Sequence, residues 1–359
     1  LKKRNAIFWP FRYAVHKTSP ELGNLNFSWE PRFRWVAQSL LSEGFNVFQH
    51  KDFICDLGDG VKTYEPPFKD YLDLIIYNHA DASEIEGNIL EAERTWFFKP
   101  TVPDANQTTL DDLGYGSYSS ITYEKPNFEN SESHKVNCFF DHKVKSWIND
   151  NSNKWGNPFS STEVPHDDFI LIIGQCSGDS VLNRQDFGSY LSKLRVIINH
   201  LLRSSDKDIV VKLHPHMNGS NWKQGDPDVK QDFQNELSSL SNRLSVYSDK
   251  SSIHSFLPKC SAVVVGNSGS GFEAMMHDKP IISFCMPEYH WVTYDLRKVC
   301  DIRRALQTQD WFDPEKSRKF LYWYMEDYCF FDQKSSNLRV KQLLESKPRK
   351  YPWHRNKNI

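Results

Sequence analysis

The sequence predicts an α/β protein of two strand-and-helix halves followed by a tail, and three observations carry that reading. Short apolar runs alternate with helix-spaced stretches over the first 145 residues. From Lys145 to Asp168 turn formers replace core residues. Beyond Asp168 the alternation restarts, and strands joined through helices form parallel sheets. The predicted domains are therefore 1–160, 161–325 and a basic, aromatic tail over 326–359.

Ala6-Ile7-Phe8-Trp9-Pro10 reads as a buried strand. Phe33, Val36, Ala37, Leu40 and Leu41 recur at helical spacing, which predicts a helix over Arg32–Glu43 that Gly44 stops. Asn46-Val47-Phe48 and Leu72 to Tyr77 are the next strands. Asn149 to Asn153 and Gly156-Asn157-Pro158 mark the linker. The second half opens with the strand Phe169–Gly174 and a helix over Tyr190–Leu202. Strands at Ile209–Leu213, Leu244–Tyr247, Ala262–Val265 and Pro280–Phe284 follow, with helices near Ile253–Leu257 and from Phe272. Trp311 to Phe331 is aromatic with helical spacing. Arg339, Lys341, Lys347, Arg349, Lys350, Arg355 and Lys357 then gather around Tyr351 and Trp353. Such a tail either touches an anionic membrane surface or packs on the first domain, and both readings stand.

With 359 residues the chain has room for two domains. Its 44 Lys and Arg against 46 Asp and Glu argue against nucleic-acid binding by bulk electrostatics. No apolar run nears the ~20 residues that span a bilayer, and no signal peptide is visible. Leu1 in place of Met is what a piece excised from a longer chain would show. Seven cysteines without a C-x-x-C pair fit reduced thiols in the cytoplasm. The 11 Trp suit a sugar-binding cleft, although Trp is also ordinary core material.

Ligands of an open α/β sheet bind beyond the carboxyl ends of its strands, and three polar turns fall there. They are Gly174-Gln175-Cys176-Ser177-Gly178-Asp179-Ser180, His214-Pro215-His216 and Gly266-Asn267-Ser268-Gly269-Ser270-Gly271. The glycine-rich turn opens a helix, so its N–H groups suit a phosphate, with Ser268 and Ser270 as hydroxyl donors. Ser270-x-x-Glu273 also reads as a capping box; a functional Glu273 would instead accept ribose hydroxyls. His214 can donate to phosphate from a turn that Pro215 fixes, and Lys212 faces either cleft or solvent. A metal role for His214 and His216 needs a third ligand that the sequence does not offer. Asp226-Pro227-Asp228 has the pattern of metal-dependent sugar transferases but sits in a polar loop and reads as idle. Asp179 is either a nucleophile or base, or the cap of the next helix.

Together these segments resemble the capsule-polysaccharide biosynthesis transferases, in particular the retaining β-Kdo glycosyltransferases, Kdo being an eight-carbon acidic sugar. The matching residues are Gly174-Gln175 with the turn to Asp179, Lys212-x-His214-Pro215, and Ser268-x-x-Gly271-Phe272-Glu273-Ala274 with Lys279-Pro280. Ser177 and Gly178 depart from the family pattern, which carries acids there. Leu113-Gly114-Tyr115-Gly116-Ser117-Tyr118-Ser119-Ser120 looks like a motif of the same group.

The resemblance implies a GT-B type fold, two Rossmann-like domains with a cleft between them and a C-terminal helical tail. The first domain would bind the acceptor and the second the nucleotide sugar. It further implies CMP-β-Kdo as donor, a glycan or glycolipid acceptor of capsule or lipopolysaccharide synthesis, no metal or other cofactor, and a place at the inner face of the cytoplasmic membrane. Gln175, Ser177, Lys212, His214, Pro215, Asn267, Ser268, Gly269, Ser270 and Glu273 would hold the donor, and Asp179 would carry a covalent sugar. Acid–base candidates in the first domain are Glu93, Asp104, Asp111 and Asp112; Lys99, Ser119 and Ser120 are candidates for a sugar carboxylate. Two rivals remain: a CDP-alcohol phosphotransferase, in which phosphorus is attacked, and a non-catalytic sugar-binding module.

Overall fold

A computed structural model describes residues 3–9, 20–50, 55–64, 71–78, 92–104, 106–152, 160–164, 167–176, 179–182, 189–214, 228–249 and 251–349, of which 20–30, 180 and 228–232 are described by backbone alone. The chain forms two compact units, Leu1–Tyr123 with Tyr324–Ile359, and Glu124–Trp323. This division differs from the one read off the sequence. Residues 124–160 belong to the second unit, and the segment from 326 returns to the first instead of standing apart.

The strands along the chain are β1 (Asn5–Trp9), β2 (Asn46–His50), β3 (Lys62–Tyr64), β4 (Leu72–Asn78), β5 (Ala92–Pro100), β6 (Thr108–Asp111), β7 (Phe169–Ile173), β8 (Ile209–Lys212), β9 (Leu244–Tyr247), β10 (Cys260–Val265), β11 (Ile281–Ser283), β12 (Tyr294–Asp295) and β13 (Cys329–Phe330). In the first unit they pair in the order β13-β6-β5-β4-β1-β2-β3. The five from β5 to β3 run parallel, and β6 lies antiparallel to both its neighbours, β5 and β13. The helix Pro20–Ser42 starts earlier than its apolar spacing indicates. It lays Phe33, Val36, Ala37 and Leu40 on the sheet, and Gly44, at φ +81°, ends it.

The predicted tail is an integral part of this unit. After the helix Pro314–Trp323 the chain makes a wide turn over Tyr324–Tyr328 and adds β13 to the sheet. Asp332 and Ser335 then form a capping box that starts the helix Gln333–Glu345. Its Val340 and Leu343 complete the core beneath Pro20–Ser42, where Gln333 Nε2 donates to the Trp35 carbonyl at 3.0 Å. Two tail cations are used internally: Arg339 Nε donates to the Leu110 carbonyl at 2.9 Å, and Arg349 Nε lies 3.2 Å from Asp112 Oδ2. Lys350, Tyr351, Trp353, Arg355 and Lys357 lie outside the described residues. Among the described residues no helix is long and apolar enough to cross a membrane.

In the second unit six parallel strands pair as β12-β11-β10-β7-β8-β9. Read from β9, this is the doubly wound order in which the chain reverses direction across the sheet between β7 and β10. Every residue of β7 is buried, as its unbroken apolar run predicts. The segment read as a linker begins as helix, Lys145–Asn149. With Ser133–Phe139 it stays in this unit through aromatic contacts, Phe139 on Tyr322 at 5.6 Å and Phe128 on Phe320 at 5.1 Å. Near Ile253 only a single turn, Ile253–Ser255, is helical. All seven cysteines are free.

Asp111, fully buried at the end of β6, organises the first unit. Its Oδ1 accepts from the backbone N–H groups of Leu113, Gly114 and Ser120 at 2.8–3.0 Å. Its Oδ2 accepts from Ser120 Oγ at 2.6 Å and Tyr328 Oη at 2.7 Å, tying the returning C-terminal segment to the sheet. Asp111→Ala should lower the unfolding free energy by about 3 kcal/mol or more, because several buried donors lose their acceptor at once. Tyr328→Phe should cost only about 1 kcal/mol. Urea denaturation of the two variants checks the ranking.

Candidate functional site

The reversal point of the second sheet brings the three polar turns together. Gln175, buried beyond β7, accepts from the Asn267 N–H through Oε1 at 2.9 Å and donates from Nε2 to Asp179 Oδ2 at 2.9 Å. One amide thereby joins the turn after β7 to the glycine-rich turn after β10. The third turn is joined by Cys176 Sγ, 3.3 Å from His214 Nδ1. Gly174 permits the approach, since a Cβ there would stand 3.1 Å from Leu213 Cα.

The glycine-rich turn leads into the helix Ser270–Met276. Ser268 Oγ accepts from the Ser270 N–H at 3.3 Å, and the Ser268 carbonyl accepts from Tyr289 Oη at 2.5 Å. Tyr289 reaches in from the loop after β11 and packs against Gly271, where a Cβ would lie 2.1 Å from the ring. Burial pushes the acidic groups of Tyr190, Tyr289 and Cys285 up, so the floor of the site is protonated and uncharged. Hydrogen bonds above such a floor are strengthened.

Gln175, Asp179, His214, Asn267, Ser268, Gly269 and Ser270 thus share one edge of one sheet. Asp179 also shows the capping geometry, with the Val181 N–H 3.4 Å from Oδ1. Lys212 is committed elsewhere: its Nζ donates to the Asp249 carbonyl at 2.6 Å and braces the loop after β9. The capping box proposed for Ser270 and Glu273 does not form, because Ser270 is already inside the helix. Glu273 is instead buried 4.0 Å from His254 Nε2. His254 Nδ1 in turn lies 2.9 Å from His277 Nε2, and burial, with His254 and Lys279 adding to it, pushes His277 down to about 4. Ser177, Gly178, Pro215, His216, Asp226 and Pro227 lie outside the described residues.

The first-unit candidates separate. Asp111 is consumed by five hydrogen bonds and cannot also serve as a base. Glu93 is exposed at the start of β5, on the sheet edge opposite the strand carboxyl ends. Ser120 Oγ serves Asp111, and Ser119 Oγ donates to the Gly116 carbonyl at 3.0 Å, so neither hydroxyl is spare. Lys99 Nζ rests 4.6 Å above the Tyr115 ring. Asp104 stands in the β5–β6 turn, at the carboxyl edge, where its Oδ1 accepts from the Asn106 N–H at 2.8 Å. Asp112 is nearly buried and ion-paired to Arg349 at an angle that makes no hydrogen bond. Burial, then the Asp111 charge, raise Asp112 to about 6 against the pull of Arg349.

Sequence reasoning missed Cys176, Tyr289 and the buried Glu288. Cys176 lay within a turn already singled out, but nothing local marks a thiol as a histidine partner. The pairing of Gly271 with Tyr289 depends on how the loop after β11 folds back, which no spacing rule reports.

Residues 142–309 match the family described as capsule polysaccharide biosynthesis protein. The β-Kdo 2,4 transferase KpsC of Thermosulfurimonas dismutans superposes with a TM-score of 0.54 at 16% identity, over 79% of this chain and 91% of that one. The β-Kdo 2,7 transferase KpsC of the same organism gives 0.49 at 10% identity, over 96% and 100%. Sucrose-phosphate synthase from Thermosynechococcus elongatus gives 0.41 at 10% identity, over 95% and 98%. No curated protein sequence matches the chain. The resemblance read from the sequence is borne out, and the two Rossmann-like units are of the GT-B type.

Gly271→Ala should cost about 2 kcal/mol or more, since the new methyl must evict the Tyr289 ring. Tyr289→Phe, which loses only the bond to Ser268, should cost about 1 kcal/mol; thermal unfolding ranks the two. Asp112 binds its proton more tightly in the folded state than in the unfolded one. Its contribution to stability is therefore complete below about pH 4 and lost as pH rises through about 6. Unfolding free energies measured from pH 4 to 7 should accordingly decline less in Asp112→Asn than in the parent.

Proposed function

We propose that this chain is a retaining glycosyltransferase that moves Kdo from CMP-β-Kdo to a glycan or glycolipid acceptor in bacterial surface polysaccharide synthesis. The capsule polysaccharide family match and the GT-B fold support a transferase. The observation that carries the reading further is the Gln175 amide, which fastens an acid to a phosphate-type turn across the reversal point of the sheet.

In this reading the phosphate of CMP lies against the N–H groups and hydroxyls of Ser268, Gly269 and Ser270, with His214 as a further donor. CMP leaves with the electron pair of the anomeric C–O bond, and its charge is met by those donors. Asp179 then bonds to the anomeric carbon from the opposite face, giving a glycosyl ester with inverted configuration. An acceptor hydroxyl displaces Asp179, its proton passing to a base, and the second inversion restores the β-linkage. Glu273 takes the ribose or cytosine end.

The Asp179 N–H donates to the Cys176 carbonyl at 3.1 Å and its Oδ2 accepts from Gln175 Nε2, so two bonds orient the carboxylate. The neutral Tyr190, Tyr289 and Cys285 beneath it set no like charge against an incoming anionic donor. We further propose that the reaction proceeds without a metal, at the cytoplasmic face of the membrane.

Intact-mass spectrometry after exposure to CMP-β-Kdo should show a Kdo-sized adduct on the parent and none on Asp179→Ala. Transfer in Asp179→Ala should fall about a thousandfold while CMP still binds. His214→Ala should weaken CMP binding about tenfold. Release of CMP from CDP-glycerol with no sugar transfer would favour phosphotransfer, and an Asp179→Asn variant unchanged in every property would rule the mechanism out.

A further inference from the structure

Cys176 and His214 meet where β7 and β8 end. The two strands pair in register from Ile170 with Ile209 to Ile173 with Lys212, so the residues that follow leave the sheet side by side. Cys176 is buried and His214 half-buried, and the sulfur stands 3.3 Å from Nδ1 of the ring. Neighbouring strands lie about 4.8 Å apart, and β7 separates β8 from β10. An anion at the glycine-rich turn after β10 is therefore met by His214 only if the ring leans over the turn after β7. The contact with Cys176 gives the ring that lean.

A neutral imidazole carries one N–H, and the hydrogen bond made by one ring nitrogen fixes where the proton sits. If Nδ1–H donated to sulfur, a good donor would be spent on a weak acceptor, and Nε2 would turn a lone pair toward an anion. If the thiol donates to Nδ1, a weak donor meets a good acceptor and Nε2 keeps the proton. Burial disfavours the third arrangement, transfer of the proton from sulfur to the ring, which would create two charges away from bulk water. Cys176 also touches Asp179 through its main chain, its carbonyl accepting from the Asp179 N–H at 3.1 Å. Substitution of the side chain removes only the contact with the ring.

We propose that Cys176 is a positioning residue for the phosphate of the donor. Its thiol donates to Nδ1 of His214 and holds the imidazole with its single proton on Nε2, across the ring from the buried sulfur. The inference rests on the proposed donor site and adds to it the residue that makes His214 a hydrogen-bond donor there.

Long-range nitrogen–proton NMR spectra of the full chain, with nitrogen-15-labelled histidine at about pH 8 and no nucleotide, read the tautomer; His214→Ala identifies the signals. The His214 ring should carry one proton, on Nε2. Its Nδ1 signal should shift in Cys176→Ala and return toward the parent position in Cys176→Ser, which keeps a donor on the same Cβ. CMP affinity should fall about fivefold in Cys176→Ala and recover in Cys176→Ser. These two side chains differ by one oxygen atom, so a role in packing alone would give them the same affinity. In a His214→Ala background Cys176→Ala should cost nothing further, because the thiol acts through the ring. A His214 proton on Nδ1, or on both nitrogens, overturns the proposal, as does a Cys176→Ala loss that persists without His214. If the parent binds no CMP, the transferase reading fails, and the ring spectra alone then decide whether Cys176 sets the tautomer.

Discussion

The arrangement of the second unit depends on a single buried amide. At the reversal point of a doubly wound sheet the helices on either side diverge, and the turns after β7 and β10 have no backbone ladder between them. Gln175 closes that gap because its two ends differ: Asn267 presents an N–H that needs an acceptor, and Asp179 presents a carboxylate that needs a donor. Glu in this position would set a like charge against Asp179, and an apolar side chain would leave both groups unmet. Gly266 is part of the same constraint. A Cβ there would lie 3.4 Å from Gln175 Oε1 and 3.2 Å from the Tyr190 ring, so the amide closes over a residue that has no side chain.

The same constraint explains which parts of the molecule the sequence makes legible. β7 is buried on both faces, so its pattern is an unbroken apolar run, and β8 and β10 read nearly as well. The glycine-rich turn and its companions declare themselves as polar interruptions directly after such runs. β5 does not. Its Glu93, Arg94, Thr95 and Lys99 read as surface, yet Arg94 is placed by the carbonyls of Leu343 and Ser346. β13 is two residues long and exists only through its pairing with β6. The unit boundary is hidden for the same reason: Phe128 and Phe139 join the second unit through aromatic partners near residue 320, and no local composition reports them. The turn formers after Asn149 fall within that unit rather than at its edge.

Asp111 and Asp112 show why residue type does not settle role. They are neighbours in sequence and both are buried, but β6 turns one toward a nest of N–H groups and the other toward Arg349. Five donors make the first an internal strut whose chemistry is spent on folding. The second keeps a carboxylate that shares its surroundings with another negative charge, and its proton affinity rises accordingly. The Leu113–Ser120 motif belongs with the strut. Its glycine and serine pattern resembles a ligand loop, but the Ser120 hydroxyl and the Leu113, Gly114 and Ser120 N–H groups are directed at Asp111, and the Ser119 hydroxyl at the Gly116 carbonyl.

Satisfaction of hydrogen-bonding capacity therefore separates structural from functional polarity in this fold better than composition does. Asp111 and Gln175 are buried and saturated, and the protein needs nothing further from them. Arg32 Nε and Nη1, Gln107 Oε1 and Thr108 Oγ1 are buried and lack partners among the described residues, which costs free energy. His254 occupies an intermediate position. One nitrogen is engaged with His277, and the other faces Glu273 at a separation too wide for a direct bond but narrow enough for a single bridging oxygen. Burial keeps the His277 ring neutral, so this cluster sets no second positive charge beside His254.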